Sequence, residues 1–187
     1  MVRSAAELLR EYGAAATSID RVLVHSGAPR GSVYHHFPGG RAQLIDEAVA
    51  HAGDFVAGIV ETAARSGDPA AAVDRFFALW RRWLVDSDFR AGCPIVAVTV
   101  ETNDDAPQLT LAAADAFGRW TDGLAASFTG RGLPSARARR LAAFVIAAVE
   151  GAVVMCRAQR SIAPLEAAAE EIHKLLAAVM PPPRGEP

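Results

Sequence analysis

The sequence predicts an all-α protein, and three observations support that prediction. Alanine, the residue with the highest helix propensity, recurs throughout the 187-residue chain, whereas aromatic residues make up only 7% of it. Apolar residues recur at intervals of three and four in most segments, and no alternating strand pattern rises above background. Hydrophobic residues amount to 51% of the chain, which allows a sizeable core and argues against disorder.

The first forty residues predict three short helices with tight connections. The first helix is expected to end at Gly13. Thr17 is expected to cap the second helix through its hydroxyl, and Gly27 is expected to end it. Pro29 stands at the first position of a third helix, where its missing N–H costs nothing. Two short helices joined by a glycine turn form the pattern of a helix-turn-helix.

Longer helices are predicted after this unit, and no linker separates them from it. Their expected bounds are approximately 41–65, 69–85, 95–102, 107–129, 135–160 and 165–179. The helix at 135–160 is apolar on nearly all sides, so it must be buried on more than one of them.

The third helix, residues 30–37, carries mostly hydrogen-bond donors and cations. Only Val33 and Phe37 are left to anchor it inward, and no acidic residue occurs between His25 and Arg41. A polar helix free of carboxylates is suited to lie against the phosphates and base edges of DNA. An ordinary helical hairpin in an all-α protein is the alternative interpretation, and it does not account for this composition.

These residues resemble the TetR family of one-component transcriptional regulators. The family pattern is Thr-Ser-apolar, a glycine turn, and then small/basic-Gly-Ser/Thr-apolar-Tyr-His/Tyr-His-Phe. Residues 17–19, Gly27 and residues 30–37 match it. The segment 37–41 and the Gly-Cys-Pro sequence at 92–94 are most similar to the LmrA/YxaF-type subgroup.

The resemblance implies a TetR-like division of the chain into two domains. Residues 1–45 would form the helix-turn-helix DNA-binding domain, and residues 46–180 a ligand-binding and dimerisation bundle. Residues 181–187, which are rich in proline, are expected to form a disordered tail.

The resemblance and the chemistry of the third helix together predict the DNA contacts. Arg30 and Ser32 are expected closest to base edges, Gly31 to allow close backbone approach, and Tyr34 and His35 to contact phosphate or sugar. A phosphate is also expected at the free N–H groups that begin the fourth helix. The full predicted set is Thr17, Ser18, Arg30, Gly31, Ser32, Tyr34, His35 and Arg41.

Large apolar residues on several of the later helices have two possible roles. Core packing is one, and the family resemblance implies the other, which is the lining of an apolar ligand cavity. A mostly apolar cavity would take a flat or hydrophobic small molecule as effector. The predicted lining residues are Phe55, Ile59, Phe77, Trp80, Val96, Val100, Phe117, Trp120 and Phe144.

A homodimer is predicted because the apolar surface of the last two helices exceeds what one small bundle could cover. Two-fold symmetry would pack these helices as a four-helix bundle, with Val149 and Ile172 at the contact and Gly151 permitting close approach. The operator would then be palindromic, with recognition helices about 34–36 Å apart or somewhat more.

The net charge of −2 excludes a general polyanion-binding protein. Five arginines and five acidic residues cancel within the first fifty positions. Attraction to DNA must therefore be local, from Arg30, Arg41, the histidines and helix N-termini, with modest salt dependence.

No residue pattern points to catalysis, a cofactor or a metal. Adjacent His35 and His36 point about 100° apart on a helix and cannot chelate one ion as an i, i+4 pair could. Cys93 lacks an orienting motif, although redox sensing remains open for it. The carboxylates of Glu101, Asp104 and Asp105 fit a solvated turn, and no glycine-rich phosphate loop occurs.

A cytoplasmic location is expected. The two cysteines are too few and too far apart for a disulfide scaffold, which favours a reducing compartment. No signal peptide opens the sequence, and the apolar run 141–156 is interrupted by Glu150 and is shorter than a membrane span.

The sequence therefore predicts a dimeric DNA-binding regulator and not an enzyme. A repressor is expected, released from a palindromic operator by a small hydrophobic ligand. The alternative is an all-α ligand-binding or enzyme-like bundle that no longer binds DNA, because the N-terminal unit is neutral and lacks a basic arm.

Overall fold

The computed structural model describes residues 1–65, 67–101 and 106–181, and these residues form nine helices and no strand. The predicted all-α class is confirmed. The helices are α1 (Val2–Tyr12), α2 (Ile19–Ser26), α3 (Gly31–His36), α4 (Gly40–Ala64), α5 (Pro69–Asp86), α6 (Pro94–Glu101), α7 (Pro107–Gly130), α8 (Ser135–Gln159) and α9 (Ala163–Val179).

Two predictions fall on parts of the chain that the structure does not describe. The carboxylates of Asp104 and Asp105 lie outside the described residues. The same is true of residues 182–187, where a disordered tail is expected.

The chain divides into two compact units. The first contains residues 1–55 and 90–117, and the second contains residues 56–89 and those from 118 onward. Helices α4 and α7 each contribute to both units. The predicted division at residues 45 and 46 concerns which part binds DNA and which binds ligand, and it stays a prediction.

The first unit buries the apolar sides of its short helices. Helix α1 packs on α2 and on α6. Helix α2 ends because Gly27 adopts a left-handed conformation with φ 68°, and its N–H bonds to the Leu23 carbonyl at 2.9 Å. The buried residues include Leu8, Leu9, Val22, Leu23, Val33, Phe37, Leu44, Ile45, Ile95 and Val98.

The second unit is built around aromatic rings. Trp80 of α5 lies edge-on to Phe76 and Trp83 of the same helix and to Trp120 of α7, with ring centroids 6.1, 5.1 and 6.4 Å away. Such edge-to-face pairs are the arrangement that the ring quadrupoles favour. Helix α5 packs on α8 and α9, and α8 packs on α9.

Helix α8 is long and apolar enough, by length and composition alone, to cross a membrane. Half of its most apolar window is buried inside the fold, and the core helices of many folded proteins have the same length and composition. Glu150, the acidic residue noted in the sequence, is buried within this helix.

One side of α8 is both exposed and apolar. Phe144, Val154 and Met155 expose 53, 53 and 51% of their surface, and Gly151 lies exposed on the same side. Val149 and Ile172, which the sequence predicts at a subunit contact, are instead buried in the core of the chain. The prediction was wrong for those two side chains because apolar spacing alone does not distinguish a core from a contact between subunits.

Candidate nucleic-acid interface

The polar residues before α2 have different roles from those predicted. Ser18, and not Thr17, is the N-cap, since its Oγ accepts a hydrogen bond from the Arg21 N–H at 3.2 Å. Thr17 is fully buried, and its hydroxyl donates to the Gly13 carbonyl at 2.7 Å. The predicted cap is one residue away from the observed one, and the Thr17 side chain is inaccessible to DNA.

Helix α3 presents two sides to different surroundings. Val33 and Phe37, four residues apart, are buried and fix the helix to the rest of the unit. Gly31, Tyr34 and His35 share the outer side and are exposed, Tyr34 by 68%. A Cβ built on Gly31 meets no atom within 4 Å, so internal packing does not require glycine at that position.

Arg30 forms an ion pair that the sequence did not predict. Its Nη2 contacts Oδ1 of Asp20 in the first turn of α2, and both side chains are largely exposed. The pair borders a surface cleft of about 250 Å³, named here the α2–α3 cleft. Its lining residues are Ser18, Ile19, Asp20, Arg30, Tyr34 and Arg41. The structure thus brings four of the predicted DNA-contact residues together around one cleft.

Besides Thr17 and Arg30, two more of the predicted DNA-contact residues donate hydrogen bonds within the first unit. Arg41 donates from Nε to the Thr17 carbonyl at 2.9 Å and from Nη2 to the Ala14 carbonyl. The Ser32 hydroxyl donates to the Pro29 carbonyl at 2.6 Å. A guanidinium has five N–H donors, so Arg41 keeps donors for a phosphate, whereas Ser32 is left with acceptor capacity alone.

The connector between α1 and α2, residues 13–17, is held from two sides. Arg41 binds it from the start of α4, and Glu101 at the end of α6 accepts a hydrogen bond from the Ala15 N–H at 2.8 Å. Gly13 has φ 81°, and a Cβ there would come within 1.8 Å of Glu101 Oε1. The positive φ favours glycine at this position, and a larger residue would also displace the Glu101 side chain from the connector.

Arg21 also has partners inside the unit. Its guanidinium lies 4.3 Å from the centre of the Tyr12 ring, and Nη1 donates to the Ala16 carbonyl at 3.1 Å. The guanidinium groups of Arg21, Arg30 and Arg41 are thus all engaged internally. DNA would meet three arginines that are already positioned, and one of them, Arg30, is paired with a carboxylate.

Comparison with known proteins decides the family. A family model for bacterial regulatory proteins of the tetR family matches residues 2–48. A second model, for the C-terminal domain of LmrA/YxaF-like transcriptional regulators, matches residues 69–171. The chain belongs to the TetR family.

Individual relatives of this TetR-family chain cover nearly its whole length. An HTH-type transcriptional regulator of Mycobacterium tuberculosis is 45% identical, over 97% of this chain and 94% of the relative. The HTH-type regulator YxaF of Bacillus subtilis is 26% identical, over 94 and 93%. A crystal structure of a TetR regulator from Legionella pneumophila has the same fold, with a TM-score of 0.84, 18% identity and coverage of 93 and 94%.

Membership of the TetR family makes the chain a DNA-binding transcriptional regulator. The family and the relatives are described as regulators and not as enzymes. The alternative of a helical bundle without DNA binding finds no support in them.

The predicted ligand-binding residues fall in both units. Trp80 and Trp120 are fully buried and lie together in the second unit, whose other members of the set are Ile59, Phe77 and Phe144. In the first unit, Phe55 and Val100 are exposed, whereas Val96 and Phe117 are half-buried. The role of these nine residues in a ligand pocket stays a prediction.

Phe76 is absent from the predicted set, although its ring lies against both Trp80 and Trp120. Its helical spacing is equally consistent with the core, so no local signal distinguishes Phe76 from the other apolar residues of α5.

No group of three or more potential metal-ligating side chains occurs within the described ranges. Cys93 and Cys156 are both buried as free thiols. Burial raises the pKa of the Cys156 thiol above its usual value, which disfavours the reactive thiolate.

Sequence reasoning missed Asp20 and Glu101. Asp20 is the sole acidic residue between Glu11 and Asp46. This isolation within a neutral-to-basic segment could have marked it as a candidate functional residue. No local sequence signal identifies Glu101, because 86 positions separate it from Ala15, whose N–H donates a hydrogen bond to its carboxylate.

Proposed function

We propose that this regulator is a dimeric repressor that a small hydrophobic ligand releases from a palindromic operator. The observation that carries the proposal is the outer side of α3. Gly31, Tyr34 and His35 are exposed there, while Val33 and Phe37 hold the helix in place. An exposed, acid-free helix face firmly anchored from behind is suited to the major groove.

The DNA contacts follow from what each side chain has left to offer. Tyr34 and His35 contact phosphate or sugar, and the backbone at Gly31 lies close to the DNA. Arg30 reads a base edge, and Ser32 takes part as an acceptor near it. Ser18 and Arg41 border the cleft beside them and contact phosphates with their remaining donors. Thr17 is left out of the proposed interface because its side chain is buried.

Dimerisation would use the exposed side of α8. Phe144, Val154 and Met155 form an apolar stripe with Gly151 in its middle, and exposed apolar patches of this kind mark protein contacts. A Cβ added to Gly151 meets no atom within 4 Å, so the glycine is free to admit a partner helix. A two-fold pairing of this stripe gives the symmetric dimer that a palindromic operator requires.

Ligand release would use α4, which contributes to both units. A hydrophobic ligand among the predicted lining residues Ile59, Phe77, Trp80 and Trp120 of the second unit would shift this helix and with it the spacing of the two recognition helices. The mechanism requires the ligand to prefer the DNA-incompetent spacing, with a typical coupling of about 1–3 kcal/mol.

The experiment begins with selection of binding sequences from random duplex DNA by the purified chain. A palindromic consensus, bound by a dimer in light scattering at micromolar concentration, is the expected result. A monodisperse monomer, or no enriched sequence, would contradict the proposal.

Ligand release is tested with a panel of apolar compounds screened by thermal stabilisation. A true effector should quench the fluorescence of Trp80 and Trp120 and displace the operator over the same concentration range. Displacement without any change at the predicted lining residues, measured by hydrogen exchange, would place the sensor elsewhere.

A further inference from the structure

The ion pair between Arg30 and Asp20 joins the two helices of the helix-turn-helix. Asp20 belongs to the first turn of α2, and Arg30 is the residue directly before α3. The side chain of Arg30 is 74% exposed and that of Asp20 is 69% exposed, and both line the α2–α3 cleft. The pair is therefore on the surface that the proposed function gives to DNA.

Stability alone does not explain this pair. Exposed ion pairs contribute little to folding, because water and salt screen them. A carboxylate in the first turn does stabilise α2 by interacting with the helix dipole, but that interaction needs no contact with Arg30. The N-cap of the helix is already supplied by Ser18.

Affinity for phosphate does not explain it either. Among the residues that line the cleft, Asp20 is the one carboxylate. Next to DNA it repels phosphates and competes with them for the guanidinium of Arg30. A cleft that served only to grip the DNA backbone would bind more tightly without Asp20.

We propose that Asp20 is a positioning residue that holds Arg30 for a guanine of the operator and weakens binding to other DNA. This inference rests on the proposed function, in which Arg30 reads a base. The guanidinium has five N–H donors in a rigid fork, so one edge can stay on Asp20 while another donates to O6 and N7 of guanine.

The position of Arg30 suits this role. Recognition helices of helix-turn-helix proteins contact base edges with their N-terminal residues, and Arg30 precedes α3 directly. A long arginine side chain loses rotamer freedom on binding, and a partner on the neighbouring helix removes part of that loss beforehand.

The test compares Asp20→Asn with the unmodified chain on three duplexes. These are the operator obtained by selection, the same operator with the guanine replaced, and random DNA of equal length. We expect Asp20→Asn to bind random DNA more tightly and the operator no better. The ratio of the two affinities should fall by about tenfold or more, the scale of one bidentate base contact.

Matched variants distinguish positioning of Arg30 by Asp20 from a simple effect of the negative charge of Asp20. Glu47→Gln removes the same charge from an exposed side chain on α4, which accepts a hydrogen bond from Gln43 and does not line the cleft. This variant should leave the ratio of operator affinity to random-DNA affinity unchanged. Arg30→Lys keeps the positive charge but loses the rigid fork that both Asp20 and guanine can bind, so it should weaken the guanine preference. Adding Asp20→Asn to Arg30→Lys should cause little further loss, because the two residues act on one contact.

Each outcome of this experiment either supports the proposal or overturns it. Equal gains for operator and random DNA would make Asp20 a simple repulsive charge and overturn the proposal, as would no change at all. Unfolding of both Asp20→Asn and Asp20→Ser would make the pair structural and overturn it too. If the unmodified chain enriches no sequence, the proposed function fails; if it enriches one without a guanine sensitive to Arg30, only this inference fails.

Discussion

The outer side of α3 and the exposed side of α8 have opposite chemistry but share one property. The side of α3 carries Gly31, Tyr34 and His35, whereas the side of α8 carries Phe144 and Val154. Neither set is needed to hold its own helix in place, since buried residues on the opposite side do that. Residues that the fold does not require are the ones available for binding.

The two surfaces differ in how their surroundings prepare them. Around α3, polar groups are already engaged, as in the pairs of Arg30 with Asp20 and of Arg41 with backbone carbonyls. On α8, the apolar side chains meet no covering segment within the described chain. A polar interface can be organised before its partner arrives, whereas an apolar one is completed only by the partner.

A charge placed on the exposed side of α8 should have the largest effect. Val154→Glu should give a monomer, because a carboxylate buried at a subunit contact is strongly unfavourable. Loss of the second half-site contact should lower affinity for the operator by about 100-fold or more. Light scattering and fluorescence anisotropy with labelled operator measure the two effects.

Val85→Glu is the matched control for that change. Val85 lies on α5 and is 48% exposed, close to the value for Val154, so it receives the same charge at a different surface. A dimer in Val154→Glu, or equal loss in both variants, would remove α8 from the dimer contact.

Gly31→Ala, on the outer side of α3, should change the stability of the protein and its affinity for DNA in opposite directions. The added methyl group meets nothing inside the protein, and alanine favours helix by up to about 1 kcal/mol. Against DNA the methyl group overpacks a close contact, which costs about 1–3 kcal/mol. Thermal unfolding and operator titration test this; unchanged affinity would mean that the backbone of α3 stays away from the DNA.

Much of this fold could be predicted because helical periodicity and turn residues are local signals. Gly27 ends α2 as predicted, and it does so in a left-handed conformation. Val33 and Phe37 are buried as expected. Thr17 and Ser18 show where local reasoning stops. Both can cap a helix, and only the burial of Thr17, whose hydroxyl donates to the Gly13 carbonyl within the connector, determines which one does.

The candidate interface was harder to predict because its residues are fixed by partners distant in sequence. Arg41 was predicted to meet a phosphate, but its guanidinium also holds carbonyls at positions 14 and 17. Glu101 reaches the same connector from α6. No propensity or spacing rule encodes such contacts, since they depend on how separate helices pack.

Arg41→Ala tests whether this residue acts mainly on the connector. Loss of two hydrogen bonds from a charged donor should destabilise the protein by about 1–3 kcal/mol, measured by urea unfolding. Because the proposed function also gives Arg41 a phosphate contact, the slope of operator affinity against salt should become smaller by about one unit. An unchanged slope would show that Arg41 acts on the connector alone.

Glu101→Ala should have the smallest effect, because the bond that it removes is exposed to solvent. The Ala15 N–H would turn to water, so stability should fall by about 1 kcal/mol or less. The informative measurement is hydrogen exchange at Ala15, which should become faster while exchange in α8 stays the same. Glu101→Gln retains a carbonyl acceptor and should restore most of the protection at Ala15. If neither variant changes that exchange rate, Arg41 alone is sufficient to hold the connector, and α6 does not contribute to fixing the start of α2.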